Sequence, residues 1–343
     1  MSGAGAGAPW QAHFLKQADA CDSLGSPFTG ALLRLLVSGM PGGAVARRIA
    51  GWDPEALGPD AVALRLAGGL HALVLQGRDT ALAACYPPQR GDLAPVLSGV
   101  FSAHEAHLLR WLDSAPQTNE IRRSAALILA ASLLAVRFPG LPLQLSELGA
   151  SAGLNLQFDR YAMEIGGAHF GPAAPLLTLA PDWQGELPPQ APYSVAEARG
   201  VDLNPLDPGA PDDLLRLRSY LWADQPDRMA RLEAARAGAV PPVDRGDAAD
   251  WLEARLSAPA GGRVHLVYHT IAWQYFPAAT RARCEAALAR AGAAARPDAP
   301  LARLSLEADG ARPGAALQLT IWPGGETTAL GRVDFHGRWL RRD

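Results

Sequence analysis

The sequence predicts an α/β protein: an α-helical N-terminal domain over residues 1–140, then a mostly parallel sheet with an antiparallel C-terminal strand over residues 141–343. Three observations predict it. Apolar residues recur three and four apart from Trp10 to Arg137; a strand-like run at Leu141–Ser146 leads straight into a glycine loop; and helical and strand-like runs then alternate, as a parallel sheet demands.

In the first region the helical spacing shows in Leu32, Leu33, Leu35 and Leu36, in Leu64, Leu66, Leu70 and Leu73, and from Leu127 to Leu134. Gly, Pro and Asp clusters punctuate it. Its last helix follows Gln117-Thr118-Asn119-Glu120, where Thr118 or Asn119 is the expected cap. Phe138-Pro139-Gly140 then resets the chain, because proline disfavours helix at the residue before it and glycine turns easily.

Beyond that break, Leu141, Leu143 and Leu145 alternate as a strand, and Leu154, Leu156, Phe158 and Tyr161 read as a helix after the glycine loop. A proline-rich stretch over 166–192 holds a short strand at Leu176–Leu179. Further strands are expected at Tyr193–Val201, Val264–Tyr268, Leu301–Glu307, Ala316–Trp322 and Thr328–Phe335. Helices are expected at Asp212–Ala237, Ala248–Leu256 and Pro277–Ala294, and the last two strands form the antiparallel ending.

Composition narrows the chemistry. With 343 residues, 49% of them hydrophobic and 19% charged, the chain can bury one large or two ordinary cores. A net charge of −3 offers no basic field for nucleic acid or anionic lipid. Cys21, Cys85 and Cys284 lie far apart, which fits a reducing compartment and no disulfide framework or zinc cluster. The Gly/Ala-rich start reads as neither signal peptide nor membrane span, so a cytoplasmic protein is expected. Lys16 is the only lysine. It sits in an amphipathic run, which excludes a P-loop and a pyridoxal Schiff base.

The junction Glu147-Leu148-Gly149-Ala150-Ser151-Ala152-Gly153-Leu154-Asn155 carries the chemistry. Glycine at Gly149 and Gly153 permits unusual backbone angles and close approach to the main chain. A dinucleotide-binding turn would place glycine where Ser151 stands and would seat a pyrophosphate there. The Glu147 carboxylate repels a pyrophosphate and suits a cationic ligand rich in hydroxyl and amine donors. It also suits the capping of local backbone amides.

This Glu-x-Gly-x-x-x-Gly loop resembles the first motif of the class I S-adenosylmethionine-dependent methyltransferases, and the succession of elements over Leu141–Asp343 resembles their Rossmann-like seven-stranded sheet. The resemblance implies S-adenosylmethionine as cofactor, held by Glu147, Gly149, Ser151, Gly153 and Asn155 in the loop, by Asp202 at the ribose and by Asp247 at the adenine. Asp202 lies well beyond the roughly twenty residues usual between such a loop and its acid. If Leu176–Leu179 is the second strand, Asp182 takes the ribose instead. The loop His269-Thr270-Ile271-Ala272-Trp273-Gln274-Tyr275 would border the transferred methyl, with His269 as general base and Tyr275 orienting the acceptor. No Asn-Pro-Pro-Tyr motif or Pro-Cys nucleophile follows the strand, so nucleic-acid bases and glutamine amides are disfavoured as acceptors.

The whole set, with Asp-Leu-Asn-Pro-Leu-Asp, Trp-Gln-Tyr-x-Pro and the earlier Gln-Thr-Asn-Glu, also resembles an uncharacterised bacterial family of unknown function. That resemblance covers nearly the whole chain and implies no reaction.

Plainer roles stand beside these. His265, Val267 and His269 alternate onto one strand face, where a histidine also serves as a hydrogen-bonded core residue. Asp202 and Asn204 fit an Asx turn before Pro205, and Asp247 fits a helix N-cap. His104 and His107 stand three apart without a third ligand, so no metal site is expected. The sequence thus predicts methyl transfer to a small acceptor, with a helical domain covering the substrate side. The alternatives are a noncatalytic S-adenosyl-binding protein on the same fold and, less favoured, a nicotinamide-dependent oxidoreductase.

Overall fold

The computed structural model describes residues 7–342. The chain forms two compact units, one from residues 1–118 and 208–230, the other from residues 119–207 and 231–343. This division differs from a single boundary near residue 140 in two places: residues 119–140 join the sheet-bearing unit, and residues 208–230 join the helical one.

The helical unit holds α1 (Pro9–Ser23), α2 (Pro27–Gly39), α3 (Ala44–Ala50), α4 (Val62–Leu75), α5 (Thr80–Ala83), α6 (Ala94–Ala103) and α7 (Glu105–Leu112). The leucines that set the helical spacing, Leu32, Leu33, Leu36, Leu66, Leu70 and Leu73, are its buried core, joined by Phe14, Val45 and Ile49. No single helix among the described residues is long and apolar enough to cross a membrane. Among the described residues one bent pair, Pro27–Gly39 and Ala44–Ala50, passes by length and composition, and its apolar residues are spent on this core.

After α8 (Ser124–Arg137), the second unit is organised by a nine-stranded sheet. Its strands are β1 (Leu143–Leu148), β5 (Asp182–Gln184), β6 (Val195–Asp202), β7 (Val243–Arg245), β8 (Val264–Thr270), β9 (Leu301–Glu307), β10 (Ala315–Trp322), β11 (Glu326–Val333) and β12 (Trp339–Arg341). The spatial order is β5-β12-β11-β10-β9-β8-β1-β6-β7. From β7 through β9 every pair is parallel; β9, β10, β11 and β12 then form an antiparallel meander. The protein is therefore α/β with a large, mostly parallel sheet and an N-terminal helical region. The antiparallel ending is a meander of several strands, because short connections at Gly310–Gly314 and Pro323–Gly325 join consecutive strands side by side.

Three other expectations are corrected. The run from Leu154 forms a short 3-10 helix, Leu154–Arg160, that breaks at Gln157 (φ −105°, ψ 27°). Tyr161 then opens a strand, β2 (Tyr161–Ile165), which hairpins through Gly166-Gly167 into β3 (Ala168–Phe170). With β4 (Leu177–Leu179) these make a separate three-stranded sheet, so Leu177–Leu179 is not the neighbour of β1. The run Asp212–Ala237 is two helices, α9 (Pro211–Ser219) and α10 (Pro226–Arg236), because Pro226 can begin a helix but not continue one. The chain passes from one unit's residues to the other's within α10.

The central strands are buried on both faces, and alternation decides what each face holds. Leu148, Val201, Val267 and Leu301 point to a core shared with α11 (Ala248–Arg255) and α12 (Ala278–Ala294). Glu147 and Tyr268, paired in the parallel register, belong to the other face, where Phe158 of the 3-10 turn meets Tyr268 edge-on at 6.5 Å.

Candidate functional site

The strand order reverses direction at β1. The chain runs from β1 to β6 and β7 on one side, then crosses to β8 and β9 on the other. In open α/β sheets such a switch point leaves a crevice beyond the strands' carboxyl ends, where ligands bind. The glycine loop leaves β1 at this point.

The loop is tied to the neighbouring strand. Gly149 and Ala150 donate their N–H groups to the Val201 carbonyl at 2.9 and 3.0 Å, and Ser151 N–H donates to Asp202 Oδ2 at 2.9 Å. Asp202 Oδ1 accepts from Asn204 N–H at 2.8 Å, which closes the Asx turn before Pro205. Asp202 thus ends the strand beside β1 and touches the loop directly. Asp182 begins β5, at the sheet edge farthest from β7, and does not approach it.

Both loop glycines are required by neighbouring protein atoms. Gly149 has φ +72°, and a Cβ there would stand 2.6 Å from Ala272 Cβ; Gly153 has φ +71°, and a Cβ there would stand 2.8 Å from Val243 Cγ2. Ser151, between them, adopts φ +53° without being glycine. Such a residue is held by its surroundings at a cost of about 1–2 kcal/mol. Its Oγ is buried and has no hydrogen-bond partner among the described residues. A buried hydroxyl left unpaired in this way fits a site that supplies a polar partner from outside the chain.

Glu147 is the second unusual group. It is 2% exposed, and the one hydrogen bond its carboxylate makes among the described residues is a 3.5 Å contact from the Tyr268 hydroxyl. Burial pushes its carboxyl well above the usual glutamate range; Tyr268 and Arg123 pull against that shift and Asp202 adds to it.

The segment before α8 closes the loop's far end. Asn119 Oδ1 accepts the buried Leu154 N–H at 2.8 Å, so Asn119 serves the glycine loop instead of capping α8. Asn155 Oδ1 accepts from Ser124 Oγ at 2.8 Å, and its Nδ2 reaches the Glu120 carbonyl at 3.4 Å. Arg123 donates to the carbonyls of Thr270 and Phe335, both at 3.0 Å, binding the end of β8 to the C-terminal segment. Asn119, Arg123, Ser124 and Tyr268 are residues that sequence reasoning did not select. Gln-Thr-Asn-Glu was visible as a motif, while the place of Tyr268 beside Glu147 follows from the β1–β8 register.

The remaining candidates are arranged as follows. Asp247 caps α11, accepting from Ala249 N–H at 2.8 Å and Asp250 N–H at 3.3 Å through Oδ1, and from Thr280 Oγ1 at 3.0 Å through Oδ2. Burial opposes ionisation there, yet these hydrogen bonds hold its carboxyl below the usual range. His269 is fully buried on the face opposite Glu147. Its Nδ1 lies 2.8 Å from Glu307 Oε1 and its Nε2 3.0 Å from Arg303 Nη2, and its ring stacks on Trp273 at 4.6 Å. Burial lowers its pKa, with Glu307 pulling the other way. Glu307 Oε1 also accepts from Ala272 N–H at 3.0 Å and Trp273 N–H at 3.1 Å, so this cluster shapes the turn after β8. Tyr275, in that turn, is 63% exposed. The structure therefore gathers Glu147, Ser151, Asn155 and Asp202 around one loop, and separates His269 from them by the sheet. His104 and His107, in the helical unit, bond to Asp79 and to the Gly69 carbonyl respectively.

The sequence profile of a family described as "Uncharacterized protein conserved in bacteria (DUF2332)" matches residues 11–342. The chain belongs to DUF2332. No curated protein and no solved structure matches the chain. The DUF2332 match spans the helical unit and the sheet-bearing one, so both belong to the family's common sequence.

Proposed function

We propose that the carboxyl ends of β1, β6 and β7 bind S-adenosylmethionine, and that this member of DUF2332 transfers a methyl group to a small acceptor. The observation that carries the reading is the set of acids at those strand ends: Glu147 and the glycine loop after β1, Asp202 closing β6, and Asp247 just past β7, with the strand order reversing at β1. When bound, the cofactor supplies an electrophilic methyl group on a cationic sulfonium. The chain supplies binding and alignment, which methyl transfer chiefly requires. Asp202, at the carboxyl end of β6 beside the glycine loop, takes the ribose hydroxyls. The unpaired Ser151 Oγ takes a polar group of the ligand, and Asp247 borders the adenine. Tyr275 orients the acceptor from the exposed turn.

With both ring nitrogens engaged, His269 acts as a positioning residue for the 271–275 turn. That engagement also favours a second reading, a noncatalytic protein that binds S-adenosyl compounds without turnover. Two features depart from the methyltransferase pattern: the 3-10 turn where an α-helix usually follows the loop, and the C-terminal meander.

Calorimetric titration of the full-length protein with S-adenosylmethionine, S-adenosylhomocysteine and NAD tests the proposal. Saturable S-adenosyl binding that Asp202→Ala weakens at least tenfold, with NAD inert, is the expected result. Folded wild-type protein that binds no S-adenosyl compound overturns it. Binding without methyl loss across a panel of small acceptors selects the noncatalytic reading.

A further inference from the structure

A second polar cluster lies at the opposite, amino ends of the same parallel strands. His265, near the start of β8, is 3% exposed, and its Nε2 lies 2.8 Å from Ser146 Oγ. Arg255 Nε donates to the same Oγ at 3.1 Å, so the serine proton goes to His265 Nε2. Burial, with Arg255 adding to it, lowers the His265 pKa to about 4. The ring is neutral near pH 7, and its one proton is on Nδ1. That N–H has no hydrogen-bond partner among the described residues, and His265 lines a cavity of about 250 Å³.

Ala287, Ala291 and Ala294 of α12 and Pro300 form apolar walls. Two charged side chains reach the cavity, and they differ. Glu253 is paired with Arg283 at 2.7 Å and also feels the charge of Arg290, which itself makes no direct ion pair or hydrogen bond among the described residues. Among the described residues, the cavity therefore combines a histidine N–H that no protein group accepts, apolar walls and a guanidinium free of direct ion pairs. An acceptor placed in the cavity would pair this N–H, a net gain of about 1 kcal/mol.

We infer that this cavity is a binding site for a small organic anion: an apolar body against the α12 alanines, a neutral acceptor atom on His265 Nδ1–H, and a carboxylate at Arg290. It is independent of the S-adenosyl proposal, since it uses the other end of the strands and none of the same residues.

The test is calorimetry on the full chain with three near-isosteric probes. 4-Acetylbenzoate carries the acceptor and the anion, 4-isopropylbenzoate lacks the acceptor, and 4-acetylbenzyl alcohol lacks the anion. One 4-acetylbenzoate per chain is expected. Losing the acceptor should weaken binding roughly fivefold. Losing the anion, or replacing Arg290→Ala, should weaken it about threefold. Ala294→Trp, at an exposed position on the cavity wall, should abolish binding while circular dichroism shows the fold intact. Three results would each overturn the assignment: no binding by folded wild-type protein, equal affinity for all three probes, or binding unaffected by Ala294→Trp.

Discussion

Glu147 and Glu307 stand at the carboxyl ends of β1 and β9, both largely buried, and the fold treats them in opposite ways. Glu307 Oε1 accepts from His269, from Ala272 N–H and from Trp273 N–H, and the turn after β8 depends on it. Glu147 receives one long contact from Tyr268. A buried carboxylate is costly unless hydrogen-bonded. Glu307 meets much of that cost through Oε1, which the turn after β8 uses as architecture, while its Oε2 is buried without a partner among the described residues. Glu147 receives one long side-chain hydrogen bond and has its carboxyl raised by burial, and acids perturbed in this way concentrate at functional sites. The difference separates a turn held through one carboxylate oxygen from the loop to which we assign the proposed ligand.

Substitutions that remove either side should behave accordingly. Glu307→Ala should have the largest effect, a loss of about 3 kcal/mol in chemical denaturation, since it strands two backbone N–H groups and a buried histidine. A loss below about 1 kcal/mol would erase the contrast. Gly149→Ala should cost roughly 2–3 kcal/mol, combining an unfavourable positive φ with the approach to Ala272 Cβ. Asn119→Ala should cost about 1–2 kcal/mol, because the buried Leu154 N–H loses its acceptor.

Glu147 predicts a pH effect of defined sign. Its folded-state pKa is raised, so between the usual glutamate value and that raised value the folded chain holds a proton the unfolded chain has released. Stability therefore falls as pH rises through this interval. Glu147→Gln should flatten that slope and match wild type in acid, as followed by urea midpoints across pH. A steeper slope in the variant would contradict the burial account. The smallest expected change is Ser151→Gly, which relieves a positive φ and should stabilise the protein by about 1 kcal/mol while weakening ligand binding.

The sequence disclosed the elements whose signals are local. Leu301–Glu307 was read to the residue from its alternating leucines, and Val264–Tyr268, a short run with valines and a tyrosine, fell two residues short of its end. The stretch after the glycine loop failed because Leu154, Leu156, Phe158 and Tyr161 satisfy helical and alternating patterns at once. Gly166-Gly167, both at positive φ, was the overlooked hairpin signal.

In the candidate site, Glu147, Ser151 and Asp202 were legible because strand–loop junctions order them along the chain. Asn119 was not, since its contact with Leu154 spans 35 residues and its local sequence looks like a helix cap. His269 and Tyr268 show the finer limit. One residue apart in sequence, they lie on opposite faces, and only the β1–β8 register shows which one Glu147 meets.

Hydrogen–deuterium exchange of the full chain with and without S-adenosylhomocysteine tests the central claim most directly. The account predicts added protection at residues 147–155 and 202–204, with little change in the Glu307-held turn at 271–273. Protection confined to other segments, or none at saturating ligand, would contradict it.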